Sequence, residues 1–216
     1  MGATSKSLRD SSIPGTPGRE SGFTLIELAF TTSLMAIVLG IAVPSFGRLN
    51  ADMRTRSTAE QLAGALRLAR ASAVTRNRPA AFVLTDATPG ADATANANAN
   101  GRNWLVKLMR PTSSRDTAAG ADLVQAGTVV LPDRMTLTGP AQVCFDPLGM
   151  QAAMPEGAQD AATACSPPGG DVGGPTSYLL SRAGSPRLVK VRVYRTGRVD
   201  ICDATRERSR DPDGCR

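Results

Sequence analysis

Glu27 is the only charged residue in the apolar run 23–43, "FTLIELAFTTSLMAIVLGIAV", which begins directly after Gly22. A carboxylate at membrane depth costs a few kcal/mol and is usually functional, so this one calls for a cationic partner. A second set lies near the C-terminus in "RLVKVRVYRTGRVDI". On an extended strand Val189, Val191 and Val193 point one way, and Lys190, Arg192 and Tyr194 the other. A turn around Arg195, Thr196 and Gly197 returns Arg198 beside them, with Val199 and Ile201 on the apolar side. The result is a basic ridge with one aromatic, suited to phosphates and stacked bases, and equally suited to a solvated structural face. The third set is Cys144, Cys165, Cys202 and Cys215, an even number without Cys-x-x-Cys spacing. That pattern favours disulfides in an oxidising compartment over metal binding. Cys144 with Cys165 would close a loop of about 20 residues, and Cys202 with Cys215 would tether the Arg-rich tail; each closure contributes about 3 kcal/mol. Four cysteines permit three connectivities.

Other chemistry is excluded by what is missing. The chain has no histidine, and beyond residue 22 only Lys107 and Lys190 could serve a Ser or Cys nucleophile as a lysine base. Carboxylates are scattered without a paired motif, and the Gly-rich loops lack phosphate-cradling spacing. No catalytic residue, metal site or cofactor is expected, and the chain reads as a non-enzyme. The formal charge of +6 points to an acidic partner, nucleic acid or an anionic membrane surface, although solubility alone also explains it.

These residues need elements to hold them. Residues 1–22 are polar, with Lys6, Arg9, Arg19 and no apolar core, the reverse of the order in a secretory signal peptide. The run 23–43 is long enough to cross roughly 30 Å of hydrocarbon as a helix. Pro44 lacks an amide hydrogen and collides with the Gly40 carbonyl, which predicts a kink or local melting. Beyond it Leu49, Met53, Leu62, Leu66, Ala69 and Ala73 recur at three- and four-residue steps, an amphipathic helix with Arg54, Arg67 and Arg70 mainly off its apolar stripe. "RNRP" at 76–79 ends that helix. Short strand-like runs follow, "AAFVLTD", "NWLVKLMR", "DLVQAG", "MTLTG", "QVCFD", "TSYLLSR" and "RLVKVRVYR", which predict antiparallel sheet packed on the helix. The low-complexity segment 88–101 reads as a mobile loop and 166–175 as a second loop. The expected class is α+β, without internal repeats.

The stretch "GFTLIELAFTTSLMAIVLGIAVPSF" resembles the N-terminus of type IV pilins and type II secretion pseudopilins. That resemblance implies that a separate prepilin peptidase in the membrane cuts after Gly22 and methylates the new amino terminus at Phe23, making Glu27 the fifth mature residue. Glu20 and Ser21 depart from the basic residue common before that glycine. The partner implied for Glu27 is the free amine of a neighbouring subunit's Phe23, an ion pair in low dielectric that draws a new subunit into register. Glu27 is then an assembly residue. The implied organisation is a leader at 1–22, a transmembrane and filament-core helix at 23–47, and a periplasmic α+β domain at 48–216, single-pass in the inner membrane.

Within the superfamily the chain most resembles the group of the minor pilin FimT and the secretion pseudopilin GspH. The resemblance lies in "LAGALRLARASAVTRNRPAAFVL" (62–84), "CFDPLGM" (144–150) and "VRVYRTGRVDIC" (191–202). FimT-like proteins linked to DNA uptake carry Gly-Arg-x-Arg here; Gly197 and Arg198 match, while Asp200 replaces the second arginine and should weaken any binding of double-stranded DNA. Two functions are implied: a FimT-like minor pilin that assembles into or primes a pilus, with Lys190, Arg192, Tyr194, Gly197 and Arg198 as DNA-binding candidates, or a GspH-like structural pseudopilin. Other pilins or pseudopilins are partners in both.

Processing is directly measurable. Mass spectrometry of membrane-extracted protein should show a chain that starts at a methylated Phe23; an intact 1–22 segment in cells that contain the peptidase would contradict the resemblance.

Overall fold

The computed structural model describes residues 22–88, 96–109, 122–131, 134–154, 165–167 and 174–215, without the side chains of 41–49, 51 and 122. The chain divides into two units, Met1–Phe46 and Gly47–Arg216. Helix α1, Leu25–Arg76, is continuous in both. Thr24 caps its start: the Glu27 amide donates to Thr24 Oγ1 at 3.3 Å and the Leu28 amide to the Thr24 carbonyl at 3.1 Å. The helix passes through Pro44 without a break, so the expected melting is not found. One proline removes one backbone bond, and the turns on either side still propagate the helix.

In the second unit the buried face of α1 includes Thr55, Thr58, Ala59, Leu62, Ala63, Ala65, Leu66, Ala69, Ser72 and Ala73. This corrects the expected stripe at one position, since Met53 is 58% exposed. Leu49 lies among the side chains not described. The helix stops at Asn77, whose φ of 49° is left-handed; the Arg78 amide reaches back to Ala73 and the Asn77 amide to Val74, at 3.2 and 3.3 Å. That double closure satisfies the last carbonyls before Pro79 turns the chain into a strand.

Among the described residues nine strands follow, each antiparallel to its neighbours. β1 (Ala80–Thr85), β2 (Asn103–Leu108), β3 (Asp122–Thr128), β5 (Gln142–Phe145) and β6 (Gln151–Ala152) make one sheet in the order β3-β2-β1-β5-β6. β4 (Met135–Thr138), β7 (Thr176–Arg182), β8 (Leu188–Val193) and β9 (Val199–Asp203) make a second, in the order β4-β7-β8-β9. The strand-like runs all become strands; only the two-residue β6 is too short to show a period.

The two sheets and α1 share one core. Phe82 on β1 stands edge-on to Tyr178 on β7, ring centroids 5.8 Å apart, and stacks on Trp104 at 6.5 Å. Tyr178 is wholly buried and its hydroxyl has no partner among the described residues, so burial pushes its ionisation far up. β1 is buried on both faces. Its other side, Ala81 and Val83, packs with Leu105, Met109, Cys144 and Cys165. The Cys144–Cys165 disulfide therefore closes a second, smaller core, and Cys202–Cys215 is the other bridge.

The loop expected at 88–101 is anchored at its far end. The Asn98 amide donates to the Leu84 carbonyl at 2.7 Å, its side chain bonds Asp86, and Gly101 passes so close to Thr85 that a Cβ would overlap the backbone. Residues 89–95 of that loop, and 168–173 of the loop at 166–175, lie outside those described.

Titration of the denatured, unreduced protein should find no free thiol. Reduction should lower the melting temperature, each bridge accounting for about 3 kcal/mol; four reactive thiols before reduction would contradict the pairing.

Candidate functional site

The first site is the start of α1. Phe23 is 85% exposed and Glu27 lies exposed in the first turn. The "TLIE" spacing that puts Glu27 three residues after its Thr24 cap is a helix-start signature that local reasoning could have found. A carboxylate there also meets the positive end of the helix dipole. Gly22 precedes the helix, and the other side chains of 22–40 are exposed too. Thr31, Thr32 and Ser33 return their hydroxyls to the carbonyls of Leu28 and Ala29 at 2.8 to 3.0 Å, so polar groups on this stretch are satisfied within the helix. Among the described residues no helix is long and apolar enough to cross a membrane; the side chains at 41–43, the end of the expected span, are not among those described.

The second site is the β8–β9 hairpin. The alternation expected from the sequence is found: Val189, Val191, Val193 and Val199 are buried in the core, and Lys190, Arg192 and Tyr194 are on the other side. The turn is closed by Gly197 N–H to the Tyr194 carbonyl at 2.8 Å and Tyr194 N–H to the Arg198 carbonyl at 2.9 Å. Gly197 has a φ of 73° and is buried, so it forms the turn and presents nothing to a ligand.

Register places Arg192 opposite Asp200, and the two side chains meet. Arg192 Nε and Nη2 donate to the two Asp200 oxygens, both at 3.0 Å, while Nη1 donates to the Cys215 carbonyl at 3.0 Å. Tyr194 donates its hydroxyl to Asp200 at 3.2 Å, and Arg198 Nη2 stands 3.7 Å from the same carboxylate. Arg198 also lies over the Tyr194 ring, 4.3 Å from its centroid. Asp200 thus does more than repel phosphate: it occupies Arg192 in a two-pronged pair with only 11% of the arginine side chain exposed. Arg198, 61% exposed, still faces outward.

Two arginines expected off the helix stripe act here, Arg67 on this hairpin and Arg70 on the turn after β5 that packs against it. Arg67 Nη2 donates to the Val199 carbonyl at 3.1 Å, and Arg70 Nε to the Gly149 carbonyl at 3.0 Å. A Cβ on Gly197 would lie 1.8 Å from that carbonyl oxygen and 2.8 Å from Arg70 Nε. Gly149 is itself left-handed, at a φ of 75°, with Val74 against it. The three segments that carried the resemblance therefore converge on one contact. No local signal identifies Arg70, because its partner is a carbonyl distant in sequence.

A third cluster ties the C-terminal tail to α1. Asp203 is almost fully buried; Arg187 Nε donates to it at 3.0 Å, and the same guanidinium approaches Asp52 of α1 at 3.6 Å and Asp213 at 3.9 Å. Burial works to raise the Asp203 pKa, but the hydroxyl and amide of Thr205 and the charge of Arg187 outweigh it and hold the carboxyl below the usual aspartate range. A depressed folded value stabilises above the unfolded pKa of about 3.9 and is lost as pH falls through the folded one. Asp203→Asn should therefore destabilise by about 2 kcal/mol at pH 7, and the gap to wild type should narrow below about pH 4. Thermal melts of both proteins across that range check it; a gap that does not change with pH would contradict the assignment.

Residues 58–197 match the family model described as "Type II transport protein GspH". No curated protein matches the chain in sequence. Among solved structures the chain is similar to the type IV minor pilin FimU of Pseudomonas aeruginosa in two crystal forms. In one, identity is 12% over 77% of this chain and 98% of that one, with a TM-score of 0.42. In the other, identity is 13% over 74% and 99%, with a TM-score of 0.39. The family match runs from the buried face of α1 through the Gly149 turn to Gly197, and on it the chain belongs to the GspH family of the type IV pilin and pseudopilin superfamily.

Proposed function

We propose that the chain is a minor subunit of a type IV filament, a pilus or a type II secretion pseudopilus, that assembles into or primes it through its N-terminal helix. The observation that carries this is the exposure of Phe23 just before α1 and of Leu25, Ile26, Leu28, Phe30, Leu34, Met35, Ile37, Val38 and Leu39 on it, together with Glu27. A helix apolar on every side belongs in a bilayer or among other helices rather than in water. Glu27 in such surroundings needs a cation, and the amine of a processed neighbour's Phe23 is the one this reading supplies. Cleavage after Gly22 by prepilin peptidase, N-methylation, single-pass insertion in the inner membrane and a periplasmic domain belong to the same reading. The two disulfides support an oxidising compartment.

Between the two machines, the family's description as a type II transport protein supports the pseudopilus. The pairing of Arg192 with Asp200 supports a structural face over a DNA-binding one. Binding of double-stranded DNA in the manner of FimT is the second reading, and the exposed Arg198 beside Tyr194 favours it. Such binding would be weak and unspecific, with Kd of about 10⁻⁴ to 10⁻⁶ M and steep salt dependence. Arg192 is unsuited to testing it, because its loss also releases the Cys215 carbonyl.

Glu27→Ala should leave membrane insertion intact and lower recovery in sheared filaments roughly tenfold or more. Normal recovery would remove Glu27 from assembly. In parallel, gel shifts at low salt should weaken on Arg198→Ala and strengthen on Asp200→Asn; identical retardation of all three proteins would dismiss the DNA reading and leave the structural one.

A further inference from the structure

The turn between β5 and β6 holds apolar side chains out of the domain on a fixed backbone. Asp146 Oδ1 accepts the amides of Leu148 and Met150 at 2.9 and 2.8 Å. The Asp146 carbonyl accepts the Gly149 amide, and the Asp146 amide donates to the Met150 carbonyl, both at 2.9 Å. Leu148 is 80% exposed, Met150 45%, and Val74, against Gly149, 50%. Single exposed hydrophobes are ordinary, but three side by side mark a contact surface. A backbone tied by four hydrogen bonds has already lost the freedom that binding would otherwise remove.

Cations flank this surface. The Gln151 amide donates to the Arg195 carbonyl at 3.0 Å, which brings the hairpin turn alongside, with Arg195 and Arg198 exposed. Arg70 approaches from α1. Asp146 is the carboxylate on the loop itself, with Oδ1 engaged by two amides.

We infer that Val74, Leu148 and Met150, with Arg195 and Arg198, form a docking surface for a different subunit of the same filament, one that sets an apolar side chain beside carboxylates. This rests on the assembly reading above. Charge selects the occupant: guanidinium groups attract carboxylates, whereas a second copy of a chain with formal charge +6 is repelled. The phosphate backbone of DNA offers nothing apolar to cover Leu148 and Met150.

The test is photocross-linking of the full-length chain, carrying Met150→p-benzoylphenylalanine, in the cell it comes from. Irradiated filaments should yield a cross-link to another filament subunit, with the attachment point, read by mass spectrometry, close to an Asp or Glu of that subunit. Adding Leu148→Asp should lower the yield about tenfold, and adding Leu148→Met should not. Attachment to DNA, lipid, a second copy or a surface without carboxylates, or a yield indifferent to Leu148→Asp, overturns the inference. A chain present in sheared filaments but never cross-linked overturns this surface alone. A chain absent from them overturns the assembly reading as well.

Discussion

The fold of the second unit turns on the contact in which Arg70 donates to the Gly149 carbonyl while Gly197 packs against that same oxygen. Three elements that share no local sequence meet there: α1, the turn after β5, and the β8–β9 turn. Neither glycine can carry a side chain, because both are left-handed and a Cβ on either would strike a neighbour. The hydrogen bond from a charged donor also gives a half-buried carbonyl a partner that neither sheet supplies. With the Gln151–Arg195 bond next to it, the contact fixes where Arg195 and Arg198 stand relative to the helix.

Charge on the second sheet is organised by two aspartates of β9 that face opposite ways. Asp200, on the outer side, gathers Arg192, Tyr194 and Arg198. Asp203, on the inner side, gathers Arg187 and Arg206. The Cys202–Cys215 bridge brings the tail back so that the Cys215 carbonyl completes the coordination of Arg192. A chain with an excess of arginine thus keeps much of it in internal pairs, while the exposed Arg195 and Arg198 sit at the hairpin tip, which the Gln151–Arg195 bond joins to the turn that carries Leu148 and Met150. That arrangement makes the tip, rather than the flat of the sheet, the place where a partner gains most from contact.

The sequence by itself determined the types of the main elements and the core-facing side of β8 and β9. Burial on one face writes a period of two or 3.6 into neighbouring residues, and that period is read locally. The Gly-Phe junction and Glu27, on which the assembly proposal rests, likewise form a short contiguous signal that is read locally. Tertiary structure alone decided that the strands divide into two sheets, that Met53 is exposed, and that Arg67 serves the hairpin and Arg70 the turn packed against it. Each of these depends on chain segments brought together from far apart, where no periodicity connects cause and effect. The Arg192–Asp200 pair lay between the two cases. The turn around Arg195, Thr196 and Gly197 implied that the chain returns beside Arg192, but that Asp200 neutralises Arg192 as well as repelling an anion depended on the register and on side-chain reach across it, which the fold supplies.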